Sequence, residues 1–294
     1  MSGPQGDDNK NINGDLIIRT KETDGLVTMP HSSEECAPSA VALPPWAKEL
    51  LKRPLVEIRR GFSLGYDAPS EDSSTIVLTA PSGKYVDIRF STLPRSQAAL
   101  AVKTQCDKIW GYATAGLSTV AILPGKGGCP AYDCMVHATW EHPIDSSGSF
   151  DTDGADLLLL ADGARMEVGC MVIRGKMQMF KEYWVTPTGR SVDRPCAVVE
   201  LKGGEEGAKG MAIRIGDFCQ GILQHGDEFW FERWEIQEGE SKWTRDERSN
   251  TPTTEMGILP CWWMTEKART FGETIMIDGR QWHVTEEVAN ISKL

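Results

Sequence analysis

Four short stretches of the sequence carry side chains that could do chemistry. In Lys181-Glu182-Tyr183-Trp184 a strand would alternate an amine and a phenol on one face with a carboxylate and an indole on the other. One of those faces must meet a core, and a buried amine or carboxylate needs a partner or a shifted pKa, as a polarising group in a pocket has. Lys181 and Tyr183 are therefore candidate catalytic residues, together with Arg174 and His142. The plainer alternative is that the charged residue on the inner face pairs with Arg89 or Arg174 as a structural ion pair. In His137 to His142, residues Ala138, Trp140 and His142 share a face; with Val136, Ala138 and Trp140 inward, His142 falls at a rim. A strand-end histidine before Pro143 is the bland alternative. Trp230 and Trp234 share a face with Glu232, so Trp140, Trp184, Trp230 and Trp234 are candidate walls for a flat ligand, against plain core packing. Tyr85, Asp87 and Arg89 form one more polar face, expected on a solvated outer surface.

Other chemistries lose weight because their motifs are missing. There is no G-x-S-x-G elbow, no G-x-x-x-x-G-K-[ST] loop, no H-E-x-x-H and no G-x-G-x-x-G at a strand-to-helix junction. Gly125-Lys126-Gly127-Gly128 has no helix after it, so it is a poor phosphate cradle. Cys129 and Cys134 lack a second ligand pair at zinc spacing, and no metal or cofactor is expected. The eight cysteines read as reduced thiols in a chain of this size without a secretory signal.

Composition narrows the partners. A formal charge of −11 and no basic run interleaved with aromatics argue against nucleic acid and anionic membrane surfaces. Met1 to Asn13 is polar, and no apolar run approaches ~18–20 residues, so a cytoplasmic protein is expected. Ten tryptophans suit wide barrel interiors or a pocket for an apolar or conjugated small molecule. A homodimer or a protein partner is compatible with the same composition.

The elements that must position these groups are nearly all strands. Residues 1–40 mix Gly, Asn, Asp, Ser and Pro and read as a flexible leader; Trp46 to Lys52 reads as one short helix behind Pro44-Pro45. Ser74 to Ala80 and Lys84 to Phe90 flank a Pro-Ser-Gly turn and form a hairpin, and many short alternating segments follow. An internal echo joins the halves. Asp87-Ile-Arg, Trp110-Gly, Thr139-Trp-Glu and Asp162-Gly-x-Arg recur in order as Ala212-Ile-Arg, Gln220-Gly, Arg233-Trp-Glu and Asp278-Gly-Arg. Repeated order at this scale predicts a duplicated barrel, with one barrel in 41–190 and the other in 191–294.

Pro81 to Arg89, Asp162 to Val172 with Phe180 to Trp184, and Ile213 to Leu223 with Glu232 to Trp234 resemble a fungal family. Its founding member is named for interaction with a casein kinase. The resemblance implies two tandem antiparallel calycin-like or lipocalin-like β-barrels, hence an all-β fold, and supplies no catalytic residues. Two functions fit. One is a cofactor-independent cyclase or pericyclase of fungal specialised metabolism, Diels–Alder or hetero-Diels–Alder in type, since such closures need little beyond orientation and a few donors. The other is a non-enzymatic adaptor with protein partners.

Overall fold

The computed structural model describes residues 43–92, 111–122, 135–173, 175–187, 195–203, 206–252 and 257–289, all within one compact unit. Arg174, Trp110, residues 1–40, the glycine-rich Gly125 to Cys129 stretch and Cys134 lie outside the described residues. Helix α1 (Pro45–Leu51) starts on two prolines, whose fixed φ and missing N–H suit a first helical turn. Strands β1 (Leu55–Leu64), β2 (Ser73–Thr79), β3 (Lys84–Ser91), β4 (Gly111–Ala121), β5 (Met135–Asp145), β6 (Asp153–Leu159), β7 (Arg165–Ile173) and β8 (Lys176–Val185) follow. Each pairs antiparallel with its neighbour, and β8 returns to β1, closing an eight-stranded barrel.

The second set comprises β9 (Cys196–Gly203), β10 (Lys209–Ile215), β11 (Phe218–His225), β12 (Glu228–Ile236), β13 (Trp243–Arg245), β14 (Thr274–Ile277) and β15 (Arg280–Val288). Their order is β13-β12-β11-β10-β9-β15-β14, so the short strands β13 and β14 stand at opposite edges of a curled, unclosed half-barrel. The echoed Asp-Gly pairs lie at the β6–β7 and β14–β15 turns. Gly163 and Gly279 sit there with φ of 83° and 74°, a region glycine enters without a Cβ clash. Trp262 and Trp263 lie on helix α2 (Cys261–Glu266), which follows Pro260. Among the described residues no helix is long and apolar enough to cross a membrane.

Alternation decides how the two sets meet. Val56, Ile76, Leu78, Val86, Ile88 and Phe90 point out of the barrel and pack on Val198, Met211, Ile213, Phe218, Ile222 and Phe231 from one face of the sheet. The other face of that sheet is filled from within the chain. Leu259, Cys261, Trp263 and Met264 pack there with Trp282, while Trp230, Trp234, Trp243 and Trp262 border the cluster. The apolar residues of the barrel are therefore used on its outer wall, and the polar alternates of β1 to β4 must turn inward.

Two buried polar side chains tie the layers. Gln220 donates through Nε2 to the carbonyls of Ile76 at 3.0 Å and Val86 at 3.1 Å. Arg233, 1% exposed, donates to Gln220 Oε1, Ser74 Oγ, Ser74 O and Ile88 O at 2.6–3.1 Å, and stacks over the Phe90 ring. Burial pulls its pKa down to about 10, which leaves it charged at neutral pH.

Candidate functional site

Inside the closed barrel is a chamber of about 280 Å3. Strand β3 shows how it is lined. Lys84 to Ser91 is buried or half-buried on both faces; Val86, Ile88 and Phe90 meet the sheet, so Tyr85, Asp87 and Arg89 face the chamber. The expectation that these three lie on a solvated surface is corrected, because the sheet covers the apolar face of their strand. Glu57, Thr79, Tyr112 and Thr114 line the chamber from β1, β2 and β4. Trp140 and His142 line it from β5, and Glu167, Phe180, Glu182 and Trp184 from β7 and β8. Asp153, Gly154 and Cys170 are the exposed members of the lining and mark where it reaches solvent.

The polar lining is knitted by ion pairs. Arg59 holds Glu182 at 2.6 Å and Glu71 at 2.9 Å; Arg89 holds Asp87 at 2.7 Å and reaches Glu182 at 3.3 Å; Arg165 donates to Glu57 at 2.8 Å. The alternative drawn for the 181–184 strand, an inner carboxylate paired with Arg89, is thus seen at Glu182. Burial opposes the charge on Arg89, but Asp87 and Glu182 outweigh it and hold the guanidinium well above its usual range.

A second group surrounds His142, which is 4% exposed. Its Nδ1 lies 3.0 Å from Ser149 O and 3.1 Å from Asp145 Oδ2, and its Nε2 lies 3.4 Å from Asp153 Oδ2. Asp145 foremost, then Asp153, pushes the imidazole up to about 10, so both nitrogens carry protons at neutral pH. Burial raises Asp145, yet bonds from His142, Ser147 and Tyr112 prevail and keep it below the usual carboxylate range. Tyr112 donates its hydroxyl to Asp145 Oδ2 at 2.8 Å. Among the lining residues, Asp87 Oδ1 and His142 Nε2 are buried without a well-aligned hydrogen bond, Nε2 keeping only the longer ion-pair distance to Asp153. No group of three or more His, Cys, Asp or Glu among them is arranged to hold a metal ion.

Glu167 differs from the other acids. Burial first, and the neighbouring Glu182 second, drive its carboxyl far above the usual range, while Trp184 Nε1 donates to it at 3.0 Å. A carboxyl with a raised folded pKa stabilises fully below its unfolded value, and that contribution fades as pH rises through the folded value. Glu167→Gln keeps an acceptor for Trp184 without a charge to bury. It should therefore be more stable than the parent at pH 8 by about 1–3 kcal/mol, the gap closing toward pH 4. Chemical denaturation at the two pH values checks this; a loss at pH 8 would show that Glu167 is ionised in the fold.

The sequence-derived candidates separate into two groups. His142, Trp140 and Trp184 line the chamber. Lys181 and Tyr183 alternate with Glu182 and point out of the barrel, where Tyr183 donates to the exposed Asp162 at 2.8 Å. The same parity places Glu182 and Trp184 inside. Trp230 and Trp234 pack beneath the second sheet, away from the chamber. The apolar interior expected from ten tryptophans is also corrected, since most of the tryptophans fill that second core while the chamber is charged. Strict alternation in Lys84 to Phe90 was the signal for Asp87 and Arg89, but it left the choice of face open. Close packing adds a further constraint: a Cβ at Gly169 would sit 2.6 Å from the Phe180 ring. Gly169→Ala should push that ring into the chamber and cost about 1–3 kcal/mol in a thermal melt.

A family model described as Protein HRI1 matches residues 55–286, from the first barrel strand to the last strand of the sheet. The chain belongs to this family. Its HRI1-family fold is also that of a crystal structure of an uncharacterized protein from Saccharomyces cerevisiae, with a TM-score of 0.57 at 17% identity. That likeness covers 80% of this chain and 99% of the yeast one, and at this identity it speaks for fold alone. Among curated proteins none matches. For an HRI1-family barrel, then, the chamber's own chemistry has to carry the functional reasoning.

Proposed function

We propose that the chain is a cofactor-independent enzyme whose barrel chamber binds a small, planar, oxygen-bearing molecule and promotes its ring closure or isomerisation. The carrying observation is His142, a charged donor 4% exposed on the chamber wall, held by Asp145 at Nδ1 and lying 3.4 Å from Asp153 at Nε2. A positioned N–H of this kind polarises a carbonyl oxygen, and buried pre-oriented donors act far more strongly than they would in water. Trp140, Trp184, Tyr85 and Tyr112 supply flat faces to hold a conjugated reactant in one geometry. A pericyclic closure of Diels–Alder or hetero-Diels–Alder type asks for these two contributions and no nucleophile, and a cyclase of fungal specialised metabolism is the form this takes. A wholly apolar polyene is a poor guest, because it would strip water from the chamber's ions without replacing their hydrogen bonds.

The test is incubation with neutral conjugated carbonyl compounds, followed by native mass spectrometry for binding and chromatography for isomeric products of unchanged mass. Binding with turnover, and a loss of about 100-fold or more in His142→Gln, is the expected result. Turnover that survives His142→Gln undiminished would remove the acid role. An adaptor that docks a protein is favoured by a different observation. Val172 and Met177, 64% and 67% exposed, face each other across β7 and β8 on the outer wall.

A further inference from the structure

We propose that Glu167 is a hydrogen-bond donor to the chamber's guest, offering an O–H at Oε1 to a carbonyl oxygen. This rests on the small-molecule function proposed above and adds a second donor to His142. Strand register places the group. Glu167 stands directly opposite Glu182 on β8 and Leu157 on β6, and all three line the chamber. Directly opposed residues on neighbouring strands have Cβ atoms about 5 Å apart, so the two carboxyls share one site. The nearby cations decide which of them ionises. Arg59 and Arg89 both reach Glu182 Oε1, at 2.6 and 3.3 Å, while Arg165 is committed to Glu57. No ion pair among the described residues includes Glu167. With Glu182 held as the carboxylate, the proton of the pair stays on Glu167, because like charges in one site resist ionising together. Burial acts in the same direction.

The Trp184 indole fixes which oxygen carries that proton. Its Nε1 donates to Glu167 Oε2 at 3.0 Å, so Oε2 is the carbonyl acceptor and the hydroxyl lies at Oε1. Oε1 bonds no described residue, yet it is not among the polar atoms sealed from solvent. Glu167 as a whole is half-buried. That accessible surface opens inward, because Gly169, two residues along the same face of β7, abuts the Phe180 ring of the lining. Charge selects the guest. An amine would meet the Arg89 guanidinium, and a carboxylate would meet Glu57, Asp87 and Glu182; a neutral carbonyl incurs neither repulsion. The chamber's 280 Å3 is the share of roughly nine waters, which suits a guest of about ten non-hydrogen atoms.

Acetophenone has that size, and α-methylstyrene is its isostere with a methylene in place of the carbonyl oxygen. Titration calorimetry on the full-length chain at pH 7 should show acetophenone bound more tightly by about 10-fold. In Glu167→Met that preference should shrink to a few-fold. Glu167→Gln should restore most of it, since an amide N–H then stands where the O–H stood. Infrared difference spectra between the parent and Glu167→Gln keep the test decisive even if the methionine variant folds poorly. They should contain the carbonyl stretch of a protonated carboxyl, moved to lower frequency by acetophenone and left in place by α-methylstyrene. Equal binding of the two compounds, a preference undiminished in Glu167→Met, or absence of the carboxylic-acid band overturns the donor assignment and leaves the chamber a binding site. Absence of binding by both compounds overturns the assignment and the small-molecule function together.

Discussion

Arg233→Met is expected to lower stability by about 3 kcal/mol, moving the thermal midpoint down by roughly 6–12 °C. Methionine retains the apolar stem and loses every donor. The guanidinium is the knot between the two β-layers, bonding Gln220 on its own sheet and Ser74 and Ile88 on the barrel wall. No carboxylate pairs with it among the ion pairs described. Its charge is instead dispersed over carbonyls and the Phe90 ring, whose face lies 4.7 Å from the guanidinium carbon. Gln220 would lose its partner at Oε1 while still bonding Ile76 and Val86, so the interface should loosen before it separates. Arg233→Lys should fall between parent and Met variant, because one ammonium cannot span the same fork of acceptors. Urea unfolding followed by tryptophan fluorescence checks the series. An Arg233→Met protein as stable as its parent would mean that apolar packing alone joins the layers.

His142→Ala carries the second large effect, and its sign depends on pH. The imidazole titrates at about 10 in the fold against an ordinary 6.5. A base with a raised folded pKa gives its full stabilisation below the unfolded value and loses it as pH climbs through the folded one. The alanine variant, which strands the fully buried Asp145 carboxylate, should therefore be less stable by about 3 kcal/mol near pH 6. Between about pH 7 and 11 the gap should narrow toward the packing loss alone. A gap that does not vary with pH would show that His142 is neutral in the folded chain.

The architecture was legible because period-two alternation, turn residues and the repeated Asp-Gly and Trp pieces are local properties of the chain. The turn at Pro81 to Gly83 and the hairpin around it appear as expected in β2 and β3. Closure of the second barrel was less legible, since it depends on edges. Strand β13 has three residues and β14 four, and they end at opposite edges of the sheet, while α2 packs on β10 to β12.

The candidate site was legible by parity and obscure by side. The sequence groups Glu182 with Trp184, and Asp87 with Arg89, yet an alternating strand does not declare which face will be enclosed. Here the face was decided non-locally: a second sheet claimed the apolar wall of the barrel, so Lys181 and Tyr183 went out while Glu182 and Asp87 went in. Trp230 and Trp234 show the same logic from the sheet's side. Phe229, Phe231 and Arg233 take the barrel interface, which leaves both tryptophans to the far core. His142 was found from its shared face with Trp140, but its charge comes from Asp145 and Asp153, partners whose roles only the folded strands reveal.

The most direct measurement is a nitrogen-15 NMR titration of the His142 ring, assigned by comparison with His142→Gln. The chamber as described here predicts both ring nitrogens protonated at pH 7.5, with loss of a proton only near pH 10. A ring that is already neutral at pH 7.5, titrating near 6.5, would contradict it, since the charged donor at the heart of the chamber would be absent.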